Sequence, residues 1–223
     1  MKPSSGAPRT SPRTAEAKRD PARTRARLLE AAVEEFASHG YSGARTERIA
    51  RHAGSNIRML YHYFGGKDEL YVAVLEAVLG DLRHDELQLD AETTDPLEGL
   101  LRIFDFVEQH FATHPRLRKL LAFENLNEAR HLARSTRIPE MSSPVLSLIR
   151  KLLARGVASG QVRPGINALH LYVAMVSLSY YGRAHAWTLS RIFNQDLQKA
   201  SWQKAHQKLT RQMVTAFLTS EST

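Results

Sequence analysis

The 223-residue sequence contains no cysteine, which excludes disulfides, thiolate metal sites and a cysteine nucleophile together. Long apolar runs are missing as well. No stretch approaches the roughly 20 residues that a membrane-spanning helix needs, and the first residues lack the apolar core of a secretion signal. A soluble, cytoplasmic protein without membrane partners is expected. No segment alternates apolar and polar residues long enough to read as a strand, so the expected class is all-α. Signatures of catalysis are also wanting: there is no phosphate-cradling glycine loop, dinucleotide fingerprint, metalloprotease helix or nucleophile elbow. Neither enzyme activity nor a cofactor is expected. His110 and His114 have the i, i+4 spacing of two metal ligands, but Pro115 follows and no carboxylate lies close by, so no metal site is expected either.

Acidic charge is in short supply. Lys and Arg outnumber Asp and Glu by 31 to 23, leaving a formal charge of +8, which favours an anionic partner. The excess is concentrated at the start: Lys2, Arg9, Arg13, Lys18, Arg19, Arg23, Arg25 and Arg27 face only Glu16 and Asp20. Residues 1–20 are rich in Pro, Ser, Thr, Ala and Arg, with too little apolar surface to offset the entropy of ordering. They are expected to form a disordered basic tail, either solvated or laid along DNA as an arm.

Asp20 followed by Pro21 is a helix-start signal, a capping carboxylate before a ring pre-set for the first turn. Leu28, Leu29, Ala32, Val33 and Phe36 then share one helical face, and His39-Gly40 ends the run. Thr46 opens a second helix with Glu47 in its first turn, and Gly54 breaks it. After Ser55-Asn56, the residues Leu60, Tyr63 and Phe64 keep the spacing of a third short helix that stops at Gly65-Gly66. Two short helices joined by a four-residue, glycine-containing turn make a helix-turn-helix.

In such a unit the second helix enters the DNA major groove and its first residues reach base edges. Ser55, Asn56, Ile57, Arg58 and Met59 occupy that tip. Arg58 has the fork to pair with guanine, Asn56 the amide to read adenine, and Ile57 or Met59 the surface for a thymine methyl. Arg45, Thr46, Tyr61, His62 and Lys67 surround the tip and suit phosphate contacts that set register. Arg48 is a further phosphate candidate, with solvated surface charge as the alternative.

The order Gly40-Tyr41, Thr46, Ile49-Ala50, Ala53-Gly54, Leu60-Tyr61, Tyr63-Phe64, Lys67 and Leu70 strongly resembles the DNA-binding domain of the tetracycline-repressor (TetR) family over about 50 residues. The sequence departs from the family pattern at Ser55-Asn56, where a small or apolar residue and then serine is usual, and at Gly65-Gly66, where proline-serine is common. Ile57 replaces a usual polar residue, so the operator sequence does not carry over.

From Lys67 a long helix runs with Leu70, Val74, Leu75, Val78, Leu79 and Leu82 inward, followed by helical candidates at 96–113, 115–133, 143–159, 166–192 and 196–219. Breaks fall at Pro96, His114-Pro115, Pro139 to Pro144, and Gly160 to Gly165. Three regions are therefore expected: the tail at 1–20, a helix-turn-helix domain at 21–66, and a helical domain at 67–223 for sensing and dimerisation. The resemblance implies that the last two helices pair with those of a second copy. Leu169, Tyr172, Val173, Val176, Leu178, Tyr180 and Tyr181 on one, and Leu197, Trp202, Leu209, Met213, Val214 and Phe217 on the other, are more apolar than solvated helices should be; burial within one subunit is the alternative. A two-fold dimer would read a palindromic operator.

The resemblance also implies a small-molecule effector pocket between the middle helices. Candidates are Phe104, Val107, Phe111, Phe123, Leu126, Asn127, Met141, Tyr172 and Met175, with His110, His131, His170 and Arg183 as polar handles. The same residue types at helical spacing equally make a packed core. The expected function is a sequence-specific transcription regulator, a repressor released from DNA by its effector. Its alternative is a ligand-independent regulator or an activator.

Overall fold

The computed structural model describes residues 20–89 and 95–220; the expected basic tail, apart from Asp20, lies outside the described residues. Among the described residues the chain is all α-helical, with ten α-helices and one short 3₁₀ turn. These are α1 (Pro21–Gly43), α2 (Thr46–His52), α3 (Ile57–Phe64), α4 (Lys67–Leu87), α5 (Pro96–Thr113), α6 (Pro115–Leu126), α7 (Arg137–Ala158), α8 (Ala168–Ala184), α9 (Ala186–Phe193) and α10 (Ala200–Thr219).

Local chemistry sets the helix starts. The Asp20 carboxylate accepts from the amides of Ala22 and Arg23, Asp95 accepts from Glu98, and Asn167 accepts from Leu169 and His170, each satisfying amides that have no partner within the helix. The stop at Gly40 is a kink: its φ of 65° takes it out of the helix, and one last turn follows to Gly43. A Cβ there would meet the Phe123 ring at 3.0 Å, so glycine answers both a backbone and a packing requirement.

Two apolar cores result. The first joins Leu28, Ala32 and Phe36 of α1 to Ile49, Leu60 and Phe64 of the next two helices, to Leu70, Tyr71, Val74 and Leu75 of α4, and to Leu120 of α6. The second joins Leu82 of α4 to residues of α5, α7, α8 and α10. Helix α4 therefore belongs to both cores.

Four helix boundaries differ from the sequence reading. The helix expected at 115–133 ends at Leu126, because the Glu124 carboxylate captures the amides of His131 and Leu132 at 3.2 and 3.1 Å and folds the chain back, with Glu128 and Ala129 both at φ 56°. Helix α7 starts at Arg137, not 143. Pro139 sits in its first turn, where an amide is not required, and Pro144 lies inside it. The helix expected at 166–192 is interrupted at His185 and becomes α8 and α9. The last helix starts at Ala200, because the Leu197 amide bonds the Ser190 hydroxyl (2.9 Å) and holds the preceding residues in a loop.

Candidate DNA-binding surface

Helices α2 and α3 meet through the turn Ala53–Asn56. Gly54 has φ +58°, with open space where a Cβ would point, so glycine is required there by backbone conformation alone. The Ser55 amide returns to the Ala50 carbonyl at 2.9 Å. Asn56 caps α3, its side-chain oxygen accepting from the Met59 amide at 2.9 Å. That oxygen is thus committed to the helix, and the amide NH₂ remains to face outward. Leu60 and Phe64 are buried and anchor one face of α3.

The opposite face is open. Asn56, Arg58, Tyr61 and His62 are exposed, while Ser55, Ile57 and Met59 are half-buried at the rim. Arg45 is exposed beside them. Thr46 is buried, its hydroxyl 3.4 Å from the Tyr61 hydroxyl, so it braces Tyr61. Lys67 lies over the Tyr41 ring at 4.7 Å, a cation–π contact at the start of α4. Eight of the ten expected DNA contacts thus gather at the outer face and rim of α3 and at Arg45, with Thr46 behind them and Lys67 at the junction.

Arg48 is tied down from within. Its guanidinium donates to Glu35 at 2.8 and 2.5 Å and to the Gly43 carbonyl at 2.9 Å. Glu35, 3% exposed, also accepts from the Arg45 amide at 2.9 Å. A buried carboxylate on α1 thereby fixes the first turn of α2.

Two family descriptions match the chain: bacterial regulatory proteins of the tetR family over residues 28–74, and the tetracyclin repressor-like C-terminal domain over residues 96–214. The chain belongs to the TetR family. It is similar to the HTH-type transcriptional repressor NicS of Pseudomonas putida, 34% identical over 184 residues that cover 81% of this chain and 87% of that one. It is also similar to the HTH-type transcriptional repressor SCO4008 of Streptomyces coelicolor, 36% identical over 72% of this chain and 80% of that one. Among solved structures, the transcriptional regulator SCO4942 from Streptomyces coelicolor superposes with a TM-score of 0.60 at 25% identity, covering 85% of this chain and 97% of that one.

In this TetR-family chain the segment between α6 and α7 packs on α4 and against Tyr41 of α1. Arg134 pairs with Asp68 and Glu69 at 2.5 and 3.0 Å, and Ser135 and Arg137 bond Glu76 at 2.7 and 3.0 Å. His131 lies 4.3 Å from the Tyr41 ring and 4.8 Å from the Tyr71 ring. Its Nδ1 bonds Glu124 at 2.9 Å. The first half of α4, directly after α3, is therefore gripped by the segment that leads from α6 into α7.

The expected effector residues divide. Phe104, Val107, Phe111, Tyr172 and Met175 come together in the second core. Phe123 instead covers Gly40, the Asn127 side chain donates to the Phe123 carbonyl at 2.7 Å, and Met141 packs on Gly80 of α4. Beside the five clustered residues lies a polar group that the sequence reading does not single out. Arg83 donates to Glu86 at 2.5 Å and to the Tyr172 hydroxyl, and Arg83 Nε and Glu86 Oε1 are buried without partners. Burial pushes the Glu86 pKa up against the pull of Arg83, and burial with the Glu86 charge pushes Tyr172 up to about 12. A second buried pair, Arg183 with Glu108 at 2.5 Å, braces α8 on α5. The available signal was a charge on an apolar stripe: Glu86 falls one turn after Leu82, and Glu108 one turn after Phe104.

No helix among the described residues is long and apolar enough to cross a membrane. No group of three or more metal-ligating side chains occurs among them either. The His110 and His114 rings stack at 3.8 Å.

Proposed function

We propose that the chain is an operator-binding transcription regulator that acts as a homodimer and releases DNA on binding a small-molecule effector. The observation that carries the proposal is the α2–turn–α3 unit, in which Leu60 and Phe64 anchor the helix and Asn56, Arg58, Tyr61 and His62 are exposed on its far side. Arg58 reads guanine, Tyr61 and Lys67 hold phosphate, and Ile57 and Met59 offer apolar surface to a thymine methyl. Family membership and the names of the two curated relatives support repression as the outcome.

Dimerisation is supported by the apolar stripes left in solvent: Leu169, Val173 and Tyr181 on α8, and Leu209, Met213 and Phe217 on α10. Each is spaced in steps of four residues, so each lies along one helix face. Pairing them about a two-fold axis places two copies of α3 on successive turns of the major groove.

Regulation runs through α4. An effector that favours one packing of the second core tilts α4, and the grip of Arg134, Ser135 and Arg137 carries the tilt to α3. A coupling of about 1–3 kcal/mol changes operator affinity about 5- to 150-fold. A second reading, constitutive DNA binding, is favoured by the packed state of Phe104, Val107, Phe111 and Met175, each at most 2% exposed.

Selection of bound duplexes from a random pool, followed by a salt titration of the winner, tests the proposal. An inverted repeat with strong discrimination over random DNA is expected. Binding without sequence preference would overturn it.

A further inference from the structure

At the outer edge of the second core and away from the DNA-binding surface, the end of α7 and the loop into α8 border an open cleft of about 330 Å³, near the lower end of the roughly 300–1,000 Å³ of small-molecule sites. Its apolar walls come from Leu153, Ala154, Val157 and Ile166, and its charged lining is Arg150 and Arg163 with no carboxylate. Neither arginine makes an ion pair with a described residue, whereas arginines on other faces of the protein do.

Arg163 is held in place. Its backbone amide donates to the Leu218 carbonyl of α10 at 2.8 Å, and its guanidinium stacks 4.0 Å over the Phe217 ring. The preceding residue, Val162, is buried so closely against Gly156 that a Cβ there would lie 2.5 Å from it. The loop is thus pinned on both sides, yet Arg163 Nε is buried with no hydrogen-bond partner. A desolvated donor without an acceptor is unfavourable. A fixed, planar guanidinium beside apolar walls is the arrangement that recognises a carboxylate through paired N–H donors.

We propose that this cleft is a binding site for a small apolar carboxylate, its head held by Arg163 and Arg150 and its body lying on Leu153, Val157 and Ile166. The proposal goes beyond the reading of α3 as a recognition helix and does not depend on it.

Titration calorimetry of the full chain with octanoate tests the site, with 1-octanol and inorganic phosphate as the uncharged and tail-less controls. One octanoate per chain is expected, with each control at least about tenfold weaker. Arg163→Met should weaken octanoate by about tenfold or more, and Arg163→Lys by less, because charge survives but the fork does not. Ala154→Phe, a change on the exposed side of α7, should fill the cleft and abolish binding while the melting temperature and DNA affinity stay as in the parent. Octanol or phosphate binding as tightly as octanoate would overturn the proposal. So would an absence of octanoate binding up to about 10 mM, or undiminished binding in both Arg163→Met and Ala154→Phe. DNA selection on the same preparations reports separately on the regulator reading.

Discussion

Removing the Glu35 carboxylate should unfasten the start of α2. Three donors converge on it: the Arg45 amide at 2.9 Å, Arg48 Nε at 2.8 Å and Arg48 Nη2 at 2.5 Å. Hydrogen bonds to a charged group contribute about 1.5–3 kcal/mol each, but the sum is not lost in full. The Arg48 side chain is 33% exposed and rehydrates when its partner is gone. The Arg45 amide is left without its acceptor, at about 1–3 kcal/mol. Together these place Glu35→Ala at about 3 kcal/mol of destabilisation. For a chain of this size that is a fall in melting temperature of about 6–12 °C.

The pH dependence follows from the same contacts. Burial alone would raise the Glu35 pKa, but hydrogen bonds from Arg48 and the Arg45 amide, with the Arg48 charge, outweigh it and hold the carboxyl below its ordinary value. A depressed acid stabilises the fold above the unfolded carboxylate pKa of about 4.3 and loses that stabilisation as pH falls through the folded value. The gap between the parent and Glu35→Ala should therefore narrow in acid. The assay is urea unfolding of the parent, Glu35→Ala, Arg48→Met and the double variant at one protein concentration, near neutral pH and again below about pH 4. Effects of the two single changes that add to within about 0.5 kcal/mol would show that carboxylate and guanidinium do not act as a unit, and would refute the reasoning.

Arg58→Ala should cost about 1–3 kcal/mol of affinity for the selected operator and relax preference at one base pair; fluorescence anisotropy showing the same loss on random DNA would remove Arg58 from base reading. Burial, aided by the neighbouring His114, pushes the His110 pKa down to about 4, so stability that is full above about pH 6.5 is lost as pH falls toward 4. His110→Phe should flatten that part of a melting-temperature profile, and an unchanged slope would count against a buried neutral imidazole. Leu209→Asp with Met213→Asp should convert dimers to monomers in sedimentation and weaken operator binding while leaving helicity intact; a persistent dimer would move the interface elsewhere. Ala129, at φ 56°, sits in a conformation that disfavours a Cβ, so Ala129→Gly should raise stability by about 0.5–1 kcal/mol in urea unfolding, and a loss would contradict the strain.

The helix-turn-helix is the most legible part of the chain, because its signals are local. Asp20-Pro21 starts α1, Gly40 ends its regular part, Gly54 makes the turn, and Leu60 with Phe64 marks the inner face of α3. Asn56 shows the limit of such reading: its position was plain, but its cap on the Met59 amide depends on a backbone that only the folded turn creates. The boundaries that differed were decided by distant or competing groups. Leu126 ends α6 because Glu124 bonds amides seven and eight residues ahead, and no periodicity encodes that return. Pro144 reads as a break, yet α7 continues through it with Val145, Leu148 and Ile149 packed in the second core. Arg48 read as a phosphate candidate, and its partner Glu35 lies on another helix, beyond the reach of local spacing.

The DNA-binding domain does not close its own core. Leu120 contributes to it, Phe123 covers Gly40, and His131 lies against Tyr41 and Tyr71. A chimaera joined to a relative's regulatory half anywhere between α3 and α6 would keep the recognition helix but lose the side chains that seal the floor beneath it. Operator preference in this chain is thus poorly portable. Transplanting it requires moving α6 and the segment through Arg137 along with α1 to α4, so that the floor travels with the helix it supports.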